Sequence, residues 1–374
     1  MVLYRLKGPL NASAETDVQR IAYFISPHGY GHASRAAAIM AAIQRRSPAV
    51  VFDIHTHVPP VFFEDSLEGS FDYFPLLSDI GLVQHDALRE DVPATIHRLA
   101  DMLPFDPVLV RSLARQLRHR KTILVACDIA PLGIRIAEEA GLPSILVENF
   151  TWDWIYAGYE ESYPDIKQYA DYLGDCFSRA AYHVQTAPVC EPGKADLLTP
   201  PVARSARLSR EETRARLGIP EGKQAVLVSL GGVPEQYGFV DRLQSAGAVF
   251  IVPGTAVRAR HEGNVIELPH HSDFYHPDLV QAVDCVIGKV GYSTIAEVYR
   301  SGVPFGYVSR SHFRESPPLA RFIAENIPSL PIAPADFRSG AWLKQLPELL
   351  TLPRRCPALP NGADTVARFI LALC

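Results

Sequence analysis

The sequence predicts an α/β protein built from two Rossmann-like halves, and three observations carry that expectation. Short apolar runs recur along the chain, as strands of a parallel sheet buried on both faces do, and several hand over to a loop at a proline such as Pro27, Pro131, Pro253 or Pro304. Helical segments separate most of these runs, which is the alternation of a doubly wound sheet. The alternation stops once, in the proline-rich stretch Thr186 to Leu208, and then begins again. With 374 residues the chain also exceeds the size at which a single core keeps growing, so two domains are expected.

Taken in order, Ile21 to Ser26 reads as the first strand, Pro27 to Gly31 as a loop, and the alanine-rich Ala33 to Arg45 as a helix. Val50 to His55 is the second strand, which completes a β-α-β unit. Val92 to Arg120 reads as helix broken at Pro104 and Pro107. Thr122 to Cys127 is a strand that ends at Asp128, and Pro131 to Ala140 is a helix closed by Gly141. Ser144 to Val147 is a strand, Tyr159 to Ala180 is helical, and Tyr182 to Gln185 is the last short strand of this half. In the second half, Ser209 opens a helix to Leu217 with Glu212 three residues on, a capping box. Ala225 to Leu230 is a strand that runs into Gly231-Gly232, and Val240 to Gly247 is a helix. Val249 to Val252, Val265 to Leu268, Ala282 to Ile287 and Phe305 to Val308 are strands. Leu319 to Asn326 and Asp364 to Leu373 are helices. The expected organisation is a first domain over 1–187, a connection over 188–208 and a second domain over 209–360. A C-terminal helix over 361–374 packs back on the first domain. Open α/β sheets bind ligands outside the carboxyl ends of their strands, so a cleft between the halves is expected.

Composition narrows the function. The formal net charge is -5, which lacks the basic footprint of a nucleic-acid binder. The six cysteines form no Cys-x-x-Cys pair, which argues against structural zinc and against a disulfide scaffold and suits a reducing cytoplasm. His55-x-His57 and the group His270, His271 and His276 have no partner spacing that makes a zinc set, so no metal is expected. No signal-peptide core precedes the first strand, and no apolar run nears the ~20 residues that span a bilayer.

The most informative stretch is Gly288 to Glu297. An apolar strand, a glycine turn and a helix start make an anion site, because the first helical turn leaves backbone N–H groups unpaired and carries the positive end of the macrodipole. Gly291 leaves room for a phosphate, and Glu297 would accept hydrogen bonds from sugar hydroxyls. The pattern fits a nucleotide with its diphosphate at Gly291, Tyr292, Ser293 and Thr294 and its ribose on Glu297. Thr294-x-x-Glu297 also fits a capping box that serves only the helix. Gly231-Gly232 offers a second wall of bare N–H groups, or a tight turn. Arg314-Glu315 is placed for hydroxyls of a transferred group, or is a solvated loop. Lys289 and Arg35 are cations at the same rim that neutralise phosphate or face water. His270 lies near the base of the nucleotide or simply ends a strand.

In the first half, Gly29-x-Gly31 with Asp53 ending the second strand is a partial dinucleotide fingerprint, weakened by Ser34 at the third glycine position. A histidine at a helix start has another use. The helix dipole disfavours imidazolium, so His32 stays neutral and can accept a proton. Asp128, at the carboxyl edge of the same sheet, can orient it, or can cap the helix entered at Pro131. The run Glu148 to Tyr156 offers Asn149 and Trp152 to sugar rings or apolar acceptors, or packs the domain interface.

These residues resemble the GT-B glycosyltransferases of the inverting, metal-independent group. Gly31-His32 resembles the Gly-His loop of plant small-molecule glucosyltransferases and of the peptidoglycan N-acetylglucosaminyltransferase, and Gly291-x-Ser293-Thr294-x-x-Glu297 resembles their donor turn. Gly29 to Arg35, Asn149 to Asp153 and Gly288 to Thr294 are similar to the glycosyltransferase-like domain of plant L-arabinokinases. The resemblance runs from Ile21 onward. It implies a GT-B fold, two Rossmann-like domains facing each other across a cleft, and transfer of a sugar from a UDP-sugar to an acceptor hydroxyl. His32 would be the general base, assisted by Asp128. The donor would lie at Gly231, Gly232, His270, Lys289, Gly291 to Thr294, Glu297, Arg314 and Glu315. The acceptor (a small molecule, a lipid-linked sugar or a glycan) would lie at His28, Tyr30, Arg35, Asn149 and Trp152. No cofactor beyond the nucleotide sugar is implied. Arg314-Glu315 stands where many members carry Asp-Gln or Gln-Gln, and no kinase segment follows, so sugar phosphorylation is not implied. Two alternatives share the fold: a non-catalytic sugar-nucleotide-binding module and a sugar-nucleotide epimerase.

Overall fold

Strand β2 (Gln19–Ile25) and the helix Tyr30–Arg46 set the frame of the first unit. Residues Ile21 to Ile25 have no solvent exposure, as a central parallel strand covered on both faces requires. The helix enters through Gly29, whose φ of 71° lies in the left-handed region that glycine alone adopts without strain. Its alanines pack on the sheet with Ile39, Met40 and Ile43. The computed structural model describes residues 4–6, 19–86, 89–229, 238–269, 272–310 and 313–374.

The chain forms two compact units. The first takes the described residues of Met1–His85, Glu90–Val202 and Pro360–Cys374, and the second those of Asp86–Arg89 and Ala203–Leu359. In the first unit, β1 (Tyr4–Leu6), β2, β3 (Val50–Thr56) and β4 (Phe71–Pro75) lie on one side of the sheet. β5 (Gln84–Asp86) and β6 (Arg89–Glu90) form a separate two-stranded ribbon. β7 (Thr122–Asp128), β8 (Ser144–Glu148), β9 (Tyr182–Thr186) and β10 (Leu197–Thr199) complete a sheet of order β1-β4-β3-β2-β7-β8-β9-β10. All neighbours run parallel except β1, which is antiparallel to β4. β10 lies within the stretch expected to be a connection. Its three residues pair with Val184 to Thr186, so the proline-rich segment extends the sheet before it leaves it.

The C-terminal helix Gly362–Leu371 packs on the helix Tyr30–Arg46 within this unit. Ala363, Val366, Ala367 and Ile370 join the same apolar cluster as Ala36, Ile39 and Ile43. Gly362 touches the backbone of the preceding segment so closely that an added Cβ would lie 2.1 Å from the Pro200 carbonyl oxygen.

The second unit has a sheet of order β13-β14-β12-β11-β15-β16-β17. Its strands are β11 (Ala225–Ser229), β12 (Val249–Ala256), β13 (Arg260–Glu262), β14 (Val265–Pro269), β15 (Cys285–Lys289), β16 (Phe305–Val308) and β17 (Ser329–Pro331). Only the pairing of β13 with β14 is antiparallel. Ser229 stands opposite Gly288, and a Cβ at Gly288 would approach the Ser229 carbonyl oxygen to 2.5 Å, so this register requires glycine there. Ser209 and Glu212 form the expected capping box at the start of the helix Arg210–Arg216.

Ile370 has no exposed surface, and truncating it removes buried methylenes between the first and last helices. Ile370→Ala is expected to lower unfolding stability by about 2–5 kcal/mol, measured as a shift of the urea midpoint. A loss below ~0.5 kcal/mol would show that the C-terminal helix adds little to the unit.

Candidate functional site

Strand register brings the first group of residues together. Ile25 at the end of β2 stands opposite Asp128 at the end of β7, and Asp128 stands opposite Val147 on β8. Three carboxyl strand ends therefore meet at the loop that starts the helix Tyr30–Arg46. His32, in the first turn of that helix, lies with Nδ1 3.0 Å from Asp128 Oδ1. Arg35, one turn further, donates from Nε to Asp128 Oδ2 at 2.8 Å and from Nη2 to Asp128 Oδ1 at 2.6 Å. Its Nη1 donates to Asn149 Oδ1 at 2.6 Å. His32 is 7% exposed, Arg35 1%, and Asp128 and Asn149 are fully buried.

Burial of Asp128 raises its pKa, but the Arg35 charge and hydrogen bonds and the His32 contact outweigh it, and the carboxyl is held below its ordinary value. An ionised carboxylate only accepts hydrogen bonds. Nδ1 of His32 must then carry the proton it shares with Oδ1, which makes Nε2 the basic nitrogen of the neutral ring. Phe150 and Trp152 meet the imidazole edge-on, at 5.9 and 6.1 Å between ring centres. Asp128 does not cap the helix Pro131–Ala140, whose N-cap is Ala130.

Several expectations for this half are corrected. Arg35 does not sit at a rim facing water or phosphate, because both oxygens of a buried carboxylate draw it inward. Asn149 and Trp152, expected to line an acceptor, are also fully buried, and they serve Arg35 and the His32 ring instead. Of the other two acceptor candidates, His28 is half-buried, with Nδ1 accepting from the Leu82 N–H at 3.3 Å, and Tyr30 stacks on Phe62 at 5.2 Å. Asp53 is buried between Arg20 and Arg120, so it is closed to a ribose and the dinucleotide reading falls. His55 is sandwiched between Phe24 and Phe74, and burial together with the Arg120 charge pushes its pKa down to about 3. Among the described residues, no group of three or more His, Cys, Asp or Glu side chains is arranged to hold a metal.

Asp79 was not found from the sequence. It is buried beside the end of β2, where Ser26 Oγ donates to Oδ1 at 2.8 Å and Ser78 Oγ donates to Oδ2 at 3.0 Å. Burial pushes its pKa up to about 7; the two serine bonds lower it and the Asp128 charge raises it.

The second group lies in the second unit. The helix Tyr292–Ser301 starts at Gly291, with no side-chain cap and no acidic residue in its first turn. Thr294 is therefore inside the helix, and the reading of Thr294-x-x-Glu297 as a capping box is corrected. The first turn offers N–H groups with no acceptor in the helix, and a Cβ at Gly291 would meet nothing within 4 Å. Lys289 and Ser293 are half-buried at this turn, and Tyr292 and Thr294 are buried. Glu297 is 2% exposed and already engaged, with Arg204 Nε donating to Oε1 at 2.9 Å and His276 Nδ1 2.8 Å from Oε2. Burial raises its pKa, and Arg204 and His276 more than reverse that, leaving the carboxyl below its ordinary value. Arg204 also stacks on Tyr275 at 5.1 Å. Neither Arg204 nor His276 was expected here; Arg204 is 93 residues from its partner, beyond the reach of local pattern.

Glu315 is not in a solvated loop. It is buried at the start of the helix Ser316–Asn326, with Arg310 Nη2 3.8 Å away, while Arg314 beside it is half-buried. Gly231, Gly232 and His270 lie outside the described residues.

The two sheets and their helices define a class: the fold is that of the GT-B glycosyltransferases, two Rossmann-like domains in one chain. The structure of Medicago truncatula UGT71G1, solved with UDP-glucose, matches with a TM-score of 0.61 and 11% identity, over 95% of this chain and 98% of that one. No protein-family model matches. The L-arabinokinase of Arabidopsis thaliana is 28% identical over 358 residues, which is 93% of this chain and 34% of that protein. A UDP-N-acetylglucosamine–N-acetylmuramyl-(pentapeptide) pyrophosphoryl-undecaprenol N-acetylglucosamine transferase of Halalkalibacterium halodurans is 24% identical over 220 residues, 54% of this chain and 58% of that one. The chain thus spans about a third of the first relative and under two thirds of the second.

Asp79 gives a pH prediction. Folded, it keeps its proton to about pH 7; unfolded, it loses it near the ordinary value of 3.8. Between those values the folded state binds more protons, so this group's contribution to stability falls as pH rises. Asp79→Asn removes that fall. Relative to the parent, the variant is expected to gain up to about 4 kcal/mol between pH 4 and pH 7.5, read from urea unfolding at both. Equal changes in the two proteins would mean that Asp79 ionises alike folded and unfolded.

Proposed function

We propose that this chain is an inverting glycosyltransferase that moves a sugar from a UDP-sugar to an acceptor hydroxyl without a metal. The observation that carries the reading is the His32–Asp128 contact at 3.0 Å at the carboxyl ends of β2 and β7. Asp128 fixes the tautomer, so Nε2 of His32 takes the proton of the acceptor hydroxyl. The oxygen attacks the anomeric carbon from the face opposite the diphosphate. The new C–O bond forms as the bond to the diphosphate breaks, and the leaving group takes the electron pair.

The helix Tyr292–Ser301 supports the donor half of the reading. Its open first turn, free of acidic side chains, suits a diphosphate, with Lys289 adjacent. Fixed N–H dipoles stabilise the charge that grows on a leaving group, a contribution of roughly 3 kcal/mol where one such donor has been removed from comparable sites. Glu297, on the same helix and held by Arg204 and His276, is the residue proposed to meet the ribose hydroxyls. The named relatives include a UDP-N-acetylglucosamine transferase and a protein solved with UDP-glucose, which favours uridine in the donor. Gly231, Gly232, His270, Arg314 and Glu315 complete the proposed donor site, and His28 and Tyr30 are the acceptor-side candidates that retain exposure.

A thermal-shift screen of nucleoside diphosphates and their sugars is expected to show stabilisation by UDP and UDP-sugars, since ligands that bind only the folded state raise its melting temperature. With the best donor, His32→Ala is expected to lower transfer by 10²–10⁴-fold, the range of about one general base, while UDP binding persists. Full transfer by His32→Ala would remove His32 from the mechanism. A change in the donor sugar without an acceptor, followed by NMR, would point to an epimerase instead.

A further inference from the structure

We propose that Arg35 is a positioning residue, which holds Asp128 at both oxygens and thereby controls how much of its charge His32 experiences. The geometry is unusual for a simple histidine–carboxylate pair. Asp128 Oδ1 is shared, with Arg35 Nη2 at 2.6 Å and His32 Nδ1 at 3.0 Å, while Oδ2 belongs to Arg35 Nε at 2.8 Å. Nη2 also lies 3.4 Å from His32 Nδ1 itself. An arginine nitrogen is only a donor, and Nδ1 already donates to Oδ1, so this last approach sets a positive group against an N–H. It opposes a charge on the ring.

The cation is fixed. Arg35 is 1% exposed, and Nη1 is tied to Asn149 Oδ1 at 2.6 Å and lies 3.4 Å from Thr186 Oγ1. Three strand ends therefore hold one guanidinium: β7 through Asp128, β8 through the residue after it, and β9 through Thr186. A buried ion of this kind does not rearrange to follow a proton on its neighbour. A transition state that places positive charge on His32 then draws on a carboxylate whose two oxygens are also held by Arg35.

The other groups around the pair are accounted for. Asp79 is close enough to Asp128 for their charges to interact and keeps its proton to about pH 7. Tyr23 on β2 and Cys127 on β7 are buried, and burial pushes both well up, so both are neutral near pH 7. Phe150 and Trp152 carry no charge. Arg35 is thus the one fixed cation in the cluster formed by these described residues. The inference rests on the proposed role of His32 for its catalytic meaning, but its test reads the ring directly.

The test uses the full chain labelled with ¹⁵N-histidine, the His32 signals being assigned by their loss in His32→Gln. In Arg35→Met, the His32 ring signals are expected to change over a higher pH range than in the parent. In Arg35→Lys, which keeps the charge, that range stays closer to the parent's. Asp128→Asn moves it down, because the cation is then uncompensated, and the double change Arg35→Met with Asp128→Asn moves it back up. Arg35→Met alone leaves a buried carboxylate without its partner and can fail to fold; the comparison of Asp128→Asn with the double variant then decides. If removing Arg35 leaves that pH range unchanged in both backgrounds, Arg35 is a structural strut only and the proposal is overturned. If the ranges move as stated but His32→Ala retains full sugar transfer, the proposal stands and the assignment of His32 as base fails.

Discussion

The bond between Arg35 and Asp128 is the interaction on which the first unit's site depends. Taking a carboxylate and a guanidinium out of water costs several kcal/mol per ion, and the two recover it only with good geometry and every remaining hydrogen-bonding position filled. Here the geometry is bidentate and the spare guanidinium nitrogen is used by Asn149. The requirement reaches back to the sheet. β2, β7, β8 and β9 must keep one register for these ends to meet, and the helix Tyr30–Arg46 must start where Gly29 allows, so that residues 32 and 35 face the same strand end.

The second unit solves a similar problem with different parts. Glu297 is on the inner face of the helix Tyr292–Ser301, among Ile295, Ala296 and Val298. Its counter-ion comes from Arg204, in the segment that enters the unit, and the neighbouring Ala203 packs on Tyr292 and Ala296. The backbone N–H groups of Arg207 and Leu208 donate to Asp278 on the helix His276–Ala282, at 2.6 and 3.2 Å. The entering segment is therefore part of the wall of the proposed donor site.

Much of this was legible in the sequence, for reasons that can be stated. The two Rossmann-like halves follow from apolar runs of strand length, their spacing by helices and the single proline-rich interruption, whereas the GT-B class came from the resemblance carried by Gly31-His32 and Gly291 to Glu297. That His32 and Asp128 lie together was legible because one follows the loop after a strand and the other ends the neighbouring strand, at the edge where the fold places ligands. The partnership of Arg35 has a local signal too, since a residue three positions after His32 shares its helix face, but arginine is rarely buried and a solvent-facing rim fits the same position. Asp79 was hidden because it lies in an irregular stretch, where no period says which side chain turns inward. Arg204 and His276 were hidden for another reason. Their partner is 93 and 21 residues away, and only the folded chain brings the three together.

Three buried acids in one chain show what decides their charge. Asp79, Asp128 and Glu297 are all removed from water, and burial is the largest influence on each. Asp79 is met by neutral groups, the Ser26 and Ser78 hydroxyls and the Trp152 side chain, which do not offset desolvation, so it titrates near neutrality. Asp128 and Glu297 each have an arginine at 2.9 Å or less and a histidine nitrogen at 3.0 Å or less, and both are pulled below their ordinary values. Depth alone does not separate them, since all three are at most 3% exposed. The arginine does. A charged acid at either proposed site thus requires a cation committed to it in advance, and that cation limits how strongly the acid can act on anything else.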